Sequence, residues 1–157
     1  MTIIQIGDQL SQRLALAANR VQRTEVLTEQ LERALISQTL QNFHAQGRPK
    51  WAGLSTVTIQ MYAKRGIHNS AILQVTGALR NSIQGDSDKD SVTIQAGSGA
   101  SAAYAAIQHF GGMAGRGRKV KIKARPYLPI TTQGILQPEA ERAVDYIAGM
   151  FISNSFI

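Results

Sequence analysis

The sequence predicts an α+β domain, and three observations lead to this fold class. Apolar residues recur at helical spacing near both ends of the chain, at 1–45 and at 137–152. Between them, in the α/β core at 46–130, short stretches alternate apolar and polar residues as half-buried strands do. The length of 157 residues fits one domain. We therefore expect a single domain over 1–157, with terminal helices packed on a mostly antiparallel sheet.

The N-terminal region predicts two helices in succession. The first has an apolar face formed by Ile6, Leu10, Leu14, Ala17, Ala18 and Val21. The second is predicted to begin at Thr24, whose hydroxyl can cap it, and Gly47 and Pro49 end it. Its apolar face consists of Leu27, Leu31, Leu35, Leu40 and Phe43.

The segment after these helices contains the lone tryptophan. Trp51 lies in a short loop, where such a residue usually closes an edge of the core. The next stretch, 56–66, has the threonine and valine content of a strand, but Ser55 can cap a helix there and Gly66 can stop it. We favour the helix.

The middle of the chain predicts a bend, a hairpin and a helix. Thr76 and Gly77 mark the bend. Two strands, 79–84 and 91–96, flank the polar loop GDSDKD. The small residues of 101–109 suit a helix.

The region that follows predicts a long basic β-hairpin or loop. Residues 110–118 are too glycine-rich for regular structure, and a strand follows in which Val120 and Ile122 alternate with lysines. Pro126 breaks this strand. Pro138 then begins the last helix at its first position. The apolar face of that helix comprises Ala140, Val144, Ile147 and Phe151.

The net charge of +7 comes from two segments that contain no acidic residue, 46–84 and 115–125. The second is the denser, and its candidate contact residues are Arg116, Arg118, Lys119, Lys121 and Lys123. Between the two segments lies a short acidic loop with Asp86, Asp88 and Asp90. A concentrated basic stripe can meet phosphate, and it can equally meet an acidic neighbouring protein.

Several classes of function lack support in the sequence. The chain has no cysteine, which removes disulfides and thiolate metal sites. Residues 97–102 imitate a dinucleotide motif, but no acidic residue follows before Glu139 to hold a ribose. Each of the three histidines is isolated from carboxylates and from the other histidines. We expect no enzyme, no cofactor and no metal.

The sequence also argues against a membrane protein and against a specific reader of DNA. We expect no membrane span and no signal peptide, because no apolar run is long enough and no basic segment precedes one. Aromatic residues only flank the basic segment 115–125, whereas nucleic-acid readers usually interleave them. Non-specific contact with DNA phosphates stays open. A purely structural alternative is that the lysines keep an edge strand from pairing with other chains.

Several blocks in order resemble the phage virion morphogenesis family, the tail completion proteins of Mu-like and related tailed phages. The resemblance covers about 40–130, and its most specific parts are the run ending QHFGG and the block ARPYL. The residues that we expect to matter for the family's structure are Trp51, Thr76, Gly77, Tyr104, His109, Phe110, Gly111, Arg125, Pro126 and Tyr127.

The resemblance implies a structural virion protein that acts at the neck and joins the tail to the DNA-filled head. It implies a ring of identical subunits with six-fold or twelve-fold symmetry, assembled in the bacterial host cytoplasm. The implied partners are neighbouring neck proteins and tail-terminator or head-connector proteins. We expect the acidic loop 85–90 and the basic hairpin 115–125 to form the interfaces, or the hairpin to face DNA in the channel.

Two other functions stay open from the sequence. The first is a basic accessory protein that binds nucleic acid. The second is an assembly factor that is needed while capsids or tails are built but is absent from the finished particle.

Overall fold

The computed structural model describes residues 12, 15–16, 18–19, 22–68, 70–98 and 101–155. Its helices, numbered in chain order, are α1 (Glu25–Ala45), α2 (Thr56–Lys64), α3 (Ala78–Asn81), α4 (Ser101–Phe110) and α5 (Pro138–Ser155). The strands are β1 (Gln84–Ser87), β2 (Val92–Gln95), β3 (Gly112–Ala114) and β4 (Val120–Ile122). This arrangement confirms the α+β class.

The strands are antiparallel, as predicted, but those described form two separate two-stranded sheets instead of one. In the first sheet Gln84 lies opposite Gln95 and Ser87 opposite Val92. In the second, Met113 lies opposite Lys121. The first sheet packs on α1, whereas no described helix packs extensively on the second.

Most of the first predicted helix lies outside the described residues. Of its apolar face, Ile6, Leu10, Leu14, Ala17 and Val21 are not described. Ala18 and its described neighbours are helical and exposed.

The start of α1 differs from the prediction in one respect. Thr24 stands at the predicted position, but its side chain makes no cap to the helix. Its hydroxyl instead donates to the Lys89 carbonyl, 65 residues away in the turn of the first hairpin. The hydroxyl therefore joins the beginning of α1 to the β1–β2 turn.

The end of α1 and the position of Trp51 agree with the prediction. The N–H of Gly47 bonds the Asn42 carbonyl at 2.8 Å, which closes the last turn of the helix. Trp51 is buried against Phe43, with ring centroids 5.8 Å apart and planes at 85°. Its indole N–H donates to the Pro126 carbonyl at 3.2 Å, so the tryptophan closes the core as expected.

The favoured helix after Trp51 is confirmed. The Ser55 side chain accepts a hydrogen bond from the Thr58 N–H at 3.2 Å and caps α2. Gly66 lies two residues after the last residue of the helix, Lys64. None of the residues of α2 is fully buried, and Val57, Ile59 and Met61 are exposed.

The predicted strand 79–84 is wrong, because its first half belongs to the short helix α3 and only Gln84 lies in a strand. Leu79 points from α3 into the core. The Ser82 hydroxyl donates to the Leu79 carbonyl at 2.7 Å and accepts from the Gly97 N–H at 2.9 Å. These two bonds end the helix and fix the start of the hairpin, which runs further along the chain than predicted.

The shifted strand β1 includes residues predicted as loop. Gly85 lies against α1 so closely that an added Cβ would be 2.6 Å from Glu32 Cγ. A larger residue there would have to displace the Glu32 side chain. The Ser87 hydroxyl, further along β1, donates to the Glu32 carboxylate at 2.6 Å. The loop prediction was based on polarity, whereas contact with α1 makes this segment a strand.

The second half of the chain contains one further correction. The stretch 110–118 was predicted to be irregular, but Gly112–Ala114 forms β3, and Arg116–Arg118 forms a turn of 3₁₀ helix. The predicted helix at 101–109 and strand around Val120 are confirmed. α5 begins with Pro138, as predicted, and packs along α1 with Ala140 buried. None of the described helices has the length and hydrophobicity of a transmembrane span.

The core combines an aromatic cluster with a buried polar network centred on Asn42. Phe43, Trp51, Leu79, Ala105 and Tyr127 form the cluster. The fully buried Asn42 Nδ2 lies 3.1 Å from the Tyr127 carbonyl and 2.8 Å from Gln137 Oε1. Arg48 donates to Asn42 Oδ1 at 2.8 Å.

Asn42 connects α1 to two later segments of the chain. Nδ2 also reaches the Leu128 carbonyl at 3.3 Å, next to Tyr127. Gln137, the third partner, precedes α5 and donates through Nε2 to the Ile130 carbonyl at 3.3 Å. One amide therefore holds the chain entering α5 and the chain around Tyr127 against α1.

Replacing Asn42 tests this network. We expect Asn42→Ala to lower the free energy of unfolding by about 2–4 kcal/mol, because buried carbonyls and the Arg48 side chain lose their partner. Gln30→Ala, at an exposed position of the same helix, should change it by less than about 0.5 kcal/mol. Chemical denaturation of both variants measures the difference. Equal stability of the two variants would contradict a structural role of the network.

Candidate functional site

Three residues of the QHFGG and ARPYL blocks, His109, Arg125 and Tyr127, are buried and form one unit. The Tyr127 ring is 5.5 Å from the Phe43 ring and 5.2 Å from the His109 ring, measured between centroids. Its hydroxyl donates to the Ala105 carbonyl in α4 at 3.0 Å. Burial raises the pKa of Tyr127 to about 12, so this donor stays protonated. The unit therefore fixes α4 against α1.

Arg125 ties the same unit to the loop after Trp51. Its guanidinium donates to the Ala52 carbonyl at 3.2 Å and to the Gly53 carbonyl at 3.3 Å. Its backbone N–H bonds the Gln108 carbonyl at 2.8 Å. Burial lowers the pKa of Arg125, but an arginine stays charged near neutral pH. The sequence identified this arginine, and the structure gives it the task of binding backbone carbonyls.

His109 is buried inside the unit in its neutral form. Its Nδ1 accepts a hydrogen bond from the Leu128 N–H at 3.4 Å, which assigns the ring proton to Nε2. Nε2 is buried and has no hydrogen-bond partner among the described residues. Burial lowers the pKa of His109, and the Thr131 backbone partly opposes that shift. The imidazole packs and accepts a bond from the backbone, and no carboxylate bonds it in the described structure.

Gly111 marks the place where the basic hairpin joins the unit. It has a φ of +74°, and an added Cβ would lie 2.9 Å from the Ala124 nitrogen and 3.0 Å from the Ile122 oxygen. The two arms of the hairpin can approach this closely only because a glycine stands there. The base of the hairpin is thus fixed between His109 and Arg125.

The remaining motif residues have less central positions. Thr76 Oγ1 accepts from the Ala78 N–H at 3.3 Å, and Gly77 precedes α3, so both belong to the predicted bend. Tyr104 and Phe110 are half-exposed, and the Phe110 ring lies 4.6 Å from the His109 ring. Burial raises the pKa of Tyr104, with a further contribution from Tyr62.

The predicted basic segment 115–125 lies largely in a hairpin with exposed cations. In the structure the basic hairpin spans 112–123, with β3, the 3₁₀ turn, β4 and Lys123 after it. Lys121 lies opposite Met113. Lys119, at the end of the 3₁₀ turn, and Lys123 flank β4, and we call these three lysines the lysine face. All three lysines and Arg116 are exposed. The backbone of Arg118 lies in the 3₁₀ turn. Four of the predicted contact residues, Arg116, Lys119, Lys121 and Lys123, are therefore accessible.

The acidic residues Asp86, Asp88 and Asp90 lie in and after β1, in the turn of the first hairpin, and all are exposed. Asp88 Oδ1 accepts 2.8 Å bonds from the backbone N–H groups of Asp90 and Ser91. These bonds lower the pKa of Asp88. Asp88 therefore shapes the turn, while Asp86 and Asp90 are the more available carboxylates.

The structure does not pair the acidic turn with the basic hairpin. The ion pairs recorded in the described part of the chain, Glu29–Arg33 and Glu139–Arg142, each lie within one helix. Both charged segments are thus open to other molecules. Across the described residues, no group of three or more His, Asp and Glu side chains is placed to hold a metal ion.

Sequence reasoning missed a cleft beside the basic hairpin. It encloses about 560 Å³ between α2, the loop before α3, α4 and β4. Its walls include Tyr62, Tyr104 and Gln108. These residues are distant in sequence, and no periodicity relates them, so the sequence carried no signal for the cleft.

Comparisons with known proteins point to one family. Residues 6–148 match the Phage virion morphogenesis family. A relative from Haemophilus influenzae, the "Mu-like prophage FluMu G protein 2", is 38% identical over 97 residues. That match covers 62% of this chain and 59% of the relative, so the chain spans about six tenths of the relative's length. No solved structure matches the chain.

The buried His109 predicts a loss of stability in acid. Its pKa in the folded protein is below the unfolded value of about 6.5. The unfolded chain therefore binds a proton more readily, and stability present above about pH 6.5 is lost as the pH falls towards the folded pKa. Thermal unfolding between about pH 8 and pH 5 measures this slope.

Two variants isolate the contribution of this histidine. His109→Phe should be less stable at pH 8 by about 1 kcal/mol, because the Leu128 N–H loses its acceptor, and its stability should fall less steeply in acid. His44→Gln, at an exposed site, should keep the original slope. A slope that His109→Phe leaves unchanged would show that another group titrates.

The close approach at Gly111 gives a second expectation. Gly111→Ala should lower the free energy of unfolding by about 1–3 kcal/mol, since the new Cβ meets backbone and the residue must keep a positive φ. A Cβ added at Gly53 would have no neighbouring heavy atom within 4 Å, so Gly53→Ala serves as the control. Denaturant titration compares the two. A neutral Gly111→Ala variant would mean that the base of the hairpin is loosely held.

Proposed function

Because the chain belongs to the phage virion morphogenesis family, which matches it over residues 6–148, we propose that it completes the tail and joins it to the DNA-filled head. A structural protein of the virion neck acts by binding its neighbours and needs to catalyse no reaction. The name of the Haemophilus relative supports a Mu-like phage origin.

The observation that best supports this role is the anchored and unpaired basic hairpin. Its base is held by Gly111 and Arg125, next to the buried unit around Tyr127. Beyond that base its lysines are exposed, and the ion pairs recorded in the described structure do not involve them. A cationic element held firmly at one end can reach a neighbouring protein or DNA without rearranging its own domain.

A ring is the assembly that we propose for this role. A closed ring needs two different surfaces on each subunit that complement each other. The basic hairpin and the acidic turn at Asp86 and Asp90 supply opposite charges on separate sheets. Apolar side chains are also exposed on helices, among them Val57 and Ile59 on α2 and Tyr146 on α5. We propose that the ring has six-fold or twelve-fold symmetry and encircles the DNA channel. Its neighbours there would be neck, tail-terminator or head-connector proteins.

The chemistry of the site favours a protein that is not an enzyme. The buried His109 bonds a backbone N–H, and the buried Arg125 bonds backbone carbonyls. Both polar groups are therefore committed to holding the fold. A structural role needs no cofactor, and we propose none.

Binding of DNA is the second candidate function, and the lysine face of the basic hairpin favours it. Such binding would be non-specific and would weaken as salt rises. A neck protein could also make this contact with DNA in the channel, so affinity for DNA alone does not separate the two functions. Assembly of particles does.

Neutralising the lysine face tests the proposed role. In a phage that lacks the natural gene, we expect the Lys119→Gln, Lys121→Gln, Lys123→Gln variant to leave heads and tails complete but unjoined. The control changes three exposed lysines elsewhere, at Lys50, Lys64 and Lys89. Electron microscopy of lysates counts joined particles, and mass spectrometry of purified virions tests whether the protein is retained.

Two results would contradict the proposal. Joined, infectious particles made with the neutral hairpin would remove the role of the lysine face. Absence of the protein from purified virions would favour an assembly factor that leaves before completion.

A further inference from the structure

The cleft beside the basic hairpin has a floor that belongs to the core. Leu79 is a member of the core cluster, and Ile72 and Leu73 pack against that cluster. All three line the cleft. Its volume of about 560 Å³ is in the range of clefts that bind ligands. The cleft can therefore bury apolar groups of a partner against a rigid surface.

One wall of the cleft is a strand edge. Four consecutive residues, Val120 to Lys123, line it. Successive side chains of a strand point to opposite faces, so a run of consecutive residues lines a cleft through the edge of the strand. In the described structure β4 pairs only with β3, which leaves this edge without a strand partner. Such an edge can accept an extended segment as an additional strand.

The charges around the cleft have one sign. Its cationic residues are Arg65, Lys121, Lys123 and Arg125, and no aspartate or glutamate is among the described residues that line it. Arg65 and the two lysines are exposed. Lysines on an edge strand oppose pairing with neutral or basic strands, but they attract an acidic one.

A polar atom in the wall also lacks a partner. Gln108 lines the cleft, and its Oε1 is buried without a hydrogen bond among the described residues. The wall thus combines an unpaired strand edge with an unpaired acceptor.

The described part of the chain offers no acidic segment that could occupy the cleft. In this chain the described acidic residues lie in the α1, α5 and β1–β2 elements, which are already folded. The β1–β2 turn is closed by Asp88 and tied to Thr24. None of these segments is free to lie extended in the cleft of a second copy.

We propose that the cleft binds an extended acidic segment of a partner protein, which adds to β4 as a third strand. Alternate apolar side chains of the segment enter the cleft above Ile72, Leu73 and Leu79. Its carboxylates meet Lys121, Lys123 and Arg65 at the rim. The proposal rests on the proposed function only in taking the partner to be a neighbouring virion protein.

The test uses a synthetic peptide of about six residues that alternates valine with glutamate, titrated into the full chain and followed by amide NMR. We expect saturable shifts at Val120–Lys123 and at Gln108. Affinity should fall about tenfold or more when glutamine replaces glutamate, and when salt is raised to about 1 M. A peptide with N-methylated valines should not bind, since it lacks the donors that a third strand requires.

Matched variants of the chain test the charges. Lys121→Glu with Lys123→Glu should lose affinity for the glutamate peptide and bind a lysine peptide instead. Lys50→Glu with Lys89→Glu makes the same change of net charge at exposed sites away from the cleft and should bind as the unmodified chain does. All three chains, the unmodified one and the two double variants, should keep the amide spectrum of a folded protein outside the exchanged positions.

Four results would overturn the proposal. They are an absence of shifts at Val120–Lys123, equal binding of the glutamate and lysine peptides, undiminished binding of the N-methylated peptide, and the same shifts produced by self-association at high protein concentration. A single-stranded oligonucleotide that binds where the glutamate peptide does not would assign the edge to nucleic acid. Because these measurements use the isolated chain, their failure leaves the role in joining heads to tails standing.

Discussion

The buried amide of Asn42 is the interaction on which the arrangement of the described residues depends. It holds the Tyr127 carbonyl, the Leu128 carbonyl and the Gln137 side chain against α1. A buried carbonyl without a hydrogen-bond donor lowers the stability of the fold, so these segments cannot move away from Asn42 without a free-energy cost. Tyr127 then fixes α4 through the Ala105 carbonyl, and Arg125, two residues earlier, fixes the loop after Trp51. A network within the core thereby determines where the basic hairpin begins.

The two hairpins have different support, and this difference separates their roles. The β1–β2 hairpin is bound to α1 by the Ser87–Glu32 hydrogen bond and by the Thr24 hydroxyl. The basic hairpin is fixed at its base, near Gly111, and no described helix packs extensively on the rest. Elements with few packing contacts open at low free-energy cost and are the usual source of binding segments. The first hairpin completes the domain, and the second offers an edge and a row of cations.

Sequence reasoning succeeded where a single residue or a local period determines the structure. Ser55 and Pro138 began helices as predicted, and Trp51 closed the core. It failed at the strand 79–84, because the Ser82 hydroxyl and the contact of Gly85 with Glu32 involve partners far along the chain. It predicted the exposed lysines of the hairpin, since charge is local.

The candidate site was only partly accessible from the sequence. The resemblance selected His109, Arg125 and Tyr127, but it gave no account of what each side chain binds. The sequence does not predict a buried Asn42, because a helical face is identified from its apolar residues. The buried face of α1 also includes the polar residues Thr28, Thr39 and Asn42. An asparagine among the apolar positions of a long helix was the available signal. The cleft gave no signal, because tertiary packing alone assembles its walls.

The most direct test of the virion role is a cryo-electron microscopy reconstruction of the head–tail junction in complete particles. The account predicts density for this fold at the junction, in a closed ring, with the basic hairpin covered by a neighbouring protein or facing the DNA channel. Density for an additional strand along β4 would identify the partner segment. A junction without this fold, or a ring in which the lysine face and the β4 edge are open to solvent, would contradict it.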